Sequence, residues 1–254
     1  MTTVTGSSRS HLKITPMLSS SSSSSLAGNA GGRTFQCSLY GELPHAGLGR
    51  LLERLVGLCG ETEHLGLARF CEHHICFLPA VQTPFGPARN DDVLLRLHAT
   101  VFDKAGNFID FPSRKWSLLH LSAAEPPKPG QRLANHRAVH CTTPTGDVIK
   151  YLEMLGYKFG FEVVRRGFAF VFGNIKITIF RLYQIQEQFR VSSAVPIHPQ
   201  STTWTVEAIS PIAGQEHVVR MSEELFQFSA HLSGLVSLAV VDHVCLQNSI
   251  KYVG

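Results

Sequence analysis

Residues 143–183 constrain this chain more than any other stretch, because one helical pattern runs straight into strand patterns whose connections are too short for anything but antiparallel neighbours. Thr143 and Pro144 mark a helix start, since a threonine oxygen accepts an orphan amide and the N–H that proline lacks is not needed in a first turn. Val148, Leu152 and Leu155 recur at helical spacing, and Gly156 supplies a left-handed stop. Strands are expected over 157–164, 168–172 and 175–183, with Arg166-Gly167 and Gly173-Asn174 as the turns of a meander. In the last of these, Ile175, Ile177 and Ile179 share a face while Phe180 and Leu182 take the opposite phase, which points to a bulge or strand exit near Ile179.

The rest of the chain repeats this grammar. Phe35, Cys37 and Leu39 alternate with Gln36, Ser38 and Tyr40 as a half-buried strand requires, and Leu48, Leu51, Leu52, Leu55 and Cys59 then form a helical stripe. Further strands are expected over 71–78, 93–102, 116–121, 136–142, 204–209 and 236–246, and a last helix over 215–232. In the strand at 93–102, Val93, Leu95, Leu97, Ala99 and Val101 oppose Arg96, His98 and Thr100, so one face is wet and the sheet is antiparallel. Strands in runs, with helices near the start, middle and end, predict a mostly β (α+β) fold: a closed antiparallel β-barrel with about three flanking helices and an interior of leucine, valine and phenylalanine.

Residues 1–33 contain the serine run 19–25 and a glycine-rich stretch, so they are expected to form a disordered leader ahead of a single domain over 34–254. An acid-free, serine-rich leader also has the composition of an organelle transit peptide, although its arginines are sparse. Three of the four net positive charges (Arg9, Lys13 and Arg33) lie in residues 1–41, which hold no carboxylate, leaving +1 for the body. A nearly neutral body does not provide the clustered cations of a dedicated nucleic-acid surface. No apolar run reaches 18 residues, so no membrane span is expected. The six cysteines lack paired CxxC spacing and read as reduced, buried thiols.

Candidate chemistry is thin. His64, Cys71, His73, His74 and Cys76 are all metal-ligand types, but in a strand Cys71 and His73 fall on one face and His74 and Cys76 on the other, so no metal site is expected. No GxSxG, HExxH or GxxxxGK[ST] pattern is present, and Cys141 sits in a strand pattern without a helix N-terminus to activate it, so no catalytic or cofactor-binding residue is assigned. Phe168, Phe170 and Phe172 alternate with Ala169 and Val171, which makes a short strand apolar on both sides. Such a strand lies between a barrel interior and a packed helix, or it offers a groove to a partner. On the second reading Phe168, Ala169, Phe170, Val171 and Lys176 are the candidate partner-binding residues.

The block Asp147-Val148-Ile149-Lys150-Tyr151-Leu152-Glu153-Met154-Leu155-Gly156-Tyr157, followed by Phe161-Glu162-Val163-Val164-Arg165-Arg166-Gly167, resembles the Mediator subunit eighteen family. The start, Cys37-Ser38-Leu39-Tyr40-Gly41 leading into Leu51-Leu52-Glu53-Arg54-Leu55, is similar to the opening of that family. The resemblance implies a nuclear, non-enzymatic barrel of the Mediator head module, without a cofactor. It implies pairing with the barrel of subunit twenty, anchoring by a C-terminal helix of subunit eight, and relay of regulatory signals to RNA polymerase II. Barrels of this kind also look like those of triphosphate tunnel metalloenzymes, whose phosphohydrolase chemistry needs inward-facing glutamates for a divalent metal. With Phe35, Cys37 and Leu39 read as the inward residues of the first strand, that alternative is disfavoured.

A serine- and glycine-rich leader buries too little apolar area to offset its ordering entropy. Deleting residues 1–33 should therefore leave the thermal unfolding midpoint, followed by circular dichroism, unchanged; a fall of many degrees would show that the leader packs on the domain.

Overall fold

The computed structural model describes residues 33–60, 69–80, 82–83, 86–87, 94–103, 105–127 and 129–247; residues 1–32 of the expected leader, and Glu61, Glu63, His64 and Val93, lie outside these. Eight strands form the wall: β1 (Thr34–Pro44), β2 (Arg69–Pro79), β3 (Leu95–Thr100), β4 (Ser117–Leu121), β5 (Asn135–Thr142), β6 (Tyr157–Phe172), β7 (Ile175–Gln184) and β8 (Thr203–Ile209). Each pairs antiparallel with two neighbours in the cyclic order β1-β5-β4-β3-β2-β6-β7-β8, and β8 returns to β1. The expected closed barrel thus forms, and closure leaves none of these eight strands with an unpaired edge.

Three helices lie on the outside: α1 (Leu48–Cys59), α2 (Val148–Met154) and α3 (Val218–His231). Their apolar faces determine which face of each strand points outward. Phe35, Cys37, Leu39 and Leu43 of β1, Phe170 of β6, the isoleucines 175, 177 and 179 of β7, and Val206 and Ala208 of β8 form one cluster with Leu51 and Leu55 of α1 and Met221, Leu225 and Phe228 of α3. A second cluster gathers Ile75, Phe77, Leu97, Ala99 and Trp116 around Val148 and Leu152 of α2. Each fully buried leucine, isoleucine or phenylalanine contributes roughly 1.5–3 kcal/mol, so the stability of the barrel resides in these outer layers. Because strand side chains alternate, the residues between them, Gln36 and Ser38, Glu72 and His74, Arg96 and His98, point into the lumen. The expected apolar interior is therefore reversed: the apolar face is the outer one, because helices cover it.

Four further expectations change for identifiable reasons. Arg166-Gly167 is not a turn, and β6 runs unbroken for 16 residues. Gly167 is required by close approach, since a Cβ there would lie 1.8 Å from the Ile179 carbonyl oxygen. No bulge occurs at Ile179, where β7 keeps register with both neighbours and Phe180 turns inward; the register shift in this wall lies at Cys76/Phe77 of β2, opposite β6. Helix α2 begins at Val148 rather than after Thr143, because Asp147 accepts a hydrogen bond from the Lys150 amide (3.1 Å) and so takes the capping role. Residues 236–246 form no strand. They run as a strap held by reciprocal backbone bonds between Tyr40 and Ala239, and by both ends of the Asn135 amide on the Val241 backbone (2.7 and 2.8 Å). Cys37, Cys71 and Cys76 are buried as expected, whereas Cys141 and Cys245 are exposed; all six are free.

Two glycines should respond oppositely to alanine. Gly167→Ala should cost about 2–3 kcal/mol in chemical denaturation, because backbone rather than a mobile side chain must yield. Gly57→Ala, on α1 with nothing within 4 Å of the new methyl, should stabilise by about 0.5–1 kcal/mol.

Candidate functional site

The lumen holds the one concentration of chemistry-bearing side chains among the described residues that strands from every part of the wall build together. Starting from β6, Arg165 stands opposite Glu72 of β2 and Leu182 of β7. Its guanidinium lies 2.5 Å from Glu207 of β8 and 3.2 Å from Thr178 of β7, and it stacks 3.8 Å above the Phe180 ring. Thr178 also donates to Glu207 (3.1 Å). Burial alone would raise the Glu207 carboxyl, but the Arg165 charge and these hydrogen bonds outweigh it and hold the group below its ordinary range. One step along the lumen, Glu72 meets His74 at 3.2 Å and Lys176 at 3.5 Å, which together hold it well below the carboxylate range against the effect of burial.

His74 stacks on His98 with centroids 5.5 Å apart. Burial pushes His74 down from 6.5 to about 4, and burial also lowers His98. Arg96 and Arg137 complete the polar lining, with Leu119, Leu121, Val139, Cys141 and Ile209 toward the side of β4, β5 and β8. The cavity they bound measures about 250 Å³. Both carboxylates are engaged by cations, so neither is presented to a divalent metal as a tunnel hydrolase would need.

A second polar network sits on the outer face. His73, fully buried, meets Arg114 at Nδ1 (2.8 Å) and Glu162 at Nε2 (2.7 Å). A guanidinium only donates, so Nδ1 accepts and Nε2 donates to Glu162. Glu162 also accepts the Phe189 amide (2.7 Å), and Arg114 donates to the Ile109 carbonyl (3.1 Å), so the network ties two loops to β2 and β6 beneath Phe111 and Trp116. Cys71, on the same face of β2, is pushed up by burial, the opposite of what a nucleophilic thiol needs.

The sequence-derived candidates are divided by this geometry. Cys71 and His73 face outward and His74 inward, as alternation requires. Phe170 is 3 % exposed, and it packs with Phe168 and Phe172 among the helices, where Phe172 meets Phe228 at 5.4 Å. Ala169, paired with Thr178, and Lys176, paired with Val171, belong to the lumen face, and Val171 at its rim is 61 % exposed. Glu72, His74, Arg96, His98, Arg137 and Glu207 were missed as a group because the wet face of each strand was taken for the outside. The available signal was that cations and carboxylates recur in the same phase on several strands, more than a solvent face needs.

Residues 35–248 match the family model described as Med18 protein. Proteins called Mediator of RNA polymerase II transcription subunit 18 are similar to this chain. The one from Xenopus laevis is 28% identical over 210 residues, covering 80% of this chain and 87% of the relative. The one from Drosophila melanogaster is 24% identical over 205 residues, covering 81% and 85%. Among solved structures, a chain of the Schizosaccharomyces pombe Mediator head module superposes with a TM-score of 0.64 at 17% identity, covering 82% of this chain and 98% of that one, which shows the shared fold.

The depressed histidine predicts a pH dependence. A His74 that binds its proton less readily when folded than when unfolded contributes stability above pH 6.5 that is lost as pH falls from 6.5 toward 4. Below about 4.5 the loss continues as the unfolded state takes up protons on Glu72. The His74 share is on the order of 3 kcal/mol. Urea denaturation at pH 5 and pH 7 should show a smaller difference for His74→Gln than for the unsubstituted chain; an equal difference would assign the titration to other groups.

Proposed function

The chain belongs to the Med18 protein family, and from that membership we propose that it works as a non-catalytic interaction subunit of the nuclear Mediator coactivator, relaying regulatory signals to RNA polymerase II transcription. The match over residues 35–248 carries this reading, because it takes in all eight barrel strands and all three helices rather than a single motif. Its partners are other Mediator head subunits, with the subunit twenty barrel as the neighbour and a helix of subunit eight as the anchor. It contacts neither nucleic acid nor membrane directly. The one-domain organisation over 34–254 with a separate leader belongs to the same proposal.

Catalysis is not needed to account for the lumen. The Glu207 carboxylate is neutralised by Arg165 and that of Glu72 by Lys176, so the tunnel-hydrolase alternative lacks free acids to hold its metal. For partner contact, Phe168 and Phe170 act by holding the helices in place, and Ala169 lines the lumen side. The accessible part of the five-residue set is the rim, where Val171 pairs with Lys176 and Ile212 is also exposed. We place a subunit contact there.

Affinity purification of the tagged full chain from nuclear extract, read by mass spectrometry, should recover other Mediator subunits; their absence from a folded bait would overturn the assignment. Val171→Asp should leave the circular dichroism spectrum unchanged and weaken association with subunits eight and twenty by about 2–4 kcal/mol, the cost of an unpaired charge at an interface core. Normal association of this variant would move the contact elsewhere while leaving the assignment to Mediator intact.

A further inference from the structure

The lumen carries more positive charge than the protein itself neutralises. Arg96, Arg137, Arg165 and Lys176 line the cavity against Glu72 and Glu207, four cations to two carboxylates, which leaves +2 around it with Lys176 at the half-exposed rim. The two carboxylates are already assigned: Glu207 to Arg165, and Glu72 to Lys176 and His74. Arg96 and Arg137 form no salt bridge among the described residues: the Arg137 charge acts on Glu207 only behind Arg165, and the Arg96 guanidinium reaches the Cys76 thiol. Three buried nitrogens in this cavity, Arg96 Nε, His98 Nδ1 and Arg165 Nε, have no hydrogen-bond partner among the described residues, and the two guanidinium nitrogens are donors in any state. Excess cations and orphaned donors are each costly when withdrawn from water, and here they converge on one space.

We propose that the barrel lumen is a binding site for a small doubly charged oxyanion of the phosphate class, held by Arg96 and Arg137 with the free edge of Arg165. The donor chemistry selects this class. Guanidinium groups present planar forks that match tetrahedral oxyanions, and a dianion cancels the surplus charge where chloride would cancel half of it. The size agrees, since about 250 Å³ walled by strands admits inorganic phosphate or pyrophosphate and not a folded partner. No bond is made or broken; the anion is structural, and it couples β3 and β5 to β6 across the polar side of the lumen.

The test uses the full chain at fixed ionic strength, with sodium chloride exchanged for inorganic phosphate and, separately, for pyrophosphate. Calorimetry should find one site per chain and the thermal midpoint should rise saturably with one of these anions. Arg96→Gln and Arg137→Gln should each weaken that binding at least tenfold. Since neither removal strands a carboxylate, both should unfold at the same or a higher temperature than the unsubstituted chain when only chloride is present. A midpoint that does not respond to phosphate or pyrophosphate beyond chloride at equal ionic strength would overturn the proposal without any variant. So would binding that survives unchanged in both variants, because the anion would then sit elsewhere.

Discussion

The Arg165 guanidinium is the point on which the barrel is centred. It bonds to Glu207 and Thr178 on two other strands, covers the Phe180 ring on the strand beside it, and stands across from Glu72. Removing one member of such a buried pair commonly costs 3–5 kcal/mol, because the other charge is left without a partner. The pair therefore makes the inward phase of β6, β7 and β8 hard to reverse, and a one-residue slip in any of them would bring isoleucines into the lumen and bury charges under helices.

Strand alternation is legible from residues alone, and so are the helical stripe at Leu48 to Cys59 and a last helix over 215–232, which forms at Val218–His231. What alternation does not contain is a direction. Phe35, Cys37 and Leu39 announce an apolar face but not whether the cover is the opposite wall or a helix, and here α1 and α3 supply it. Gly167 shows the same ambiguity at one position: glycine satisfies a tight turn or a close backbone approach, and only the neighbouring strand distinguishes them. The strap at 236–246 escaped because its pairing comes from Asn135, whose side-chain amide stands in for a backbone donor and acceptor.

The lumen site was hidden by that missing direction. Arg96 and His98 are legible as the polar face of one strand, and nothing local joins them to Arg165 and Lys176, which lie far away in sequence. Their convergence is a property of closure. The ordered resemblance from about Phe35 to Leu246 carries the functional reading instead, without help from the site. The barrel wall thus has two faces with separate tasks: an outer one that carries the helices and an inner one that manages charge.

An inside-out distribution of apolar surface also sets the schedule on which the chain is made. The outward residues of β1 leave the ribosome early, yet α3, which covers them, begins at Val218, about 180 residues later. At synthesis rates of ~5–20 residues per second, Phe35, Cys37, Leu39 and Leu43 have only the adjacent α1 for company and wait roughly ten to forty seconds for the α3 part of their cover. Until then the nascent chain shows a greasy strand with both edges unpaired, a natural client for chaperones that hold rather than fold. The domain is thus finished from its C-terminal end, and a message truncated before α3 would yield an aggregating fragment instead of a partly active one.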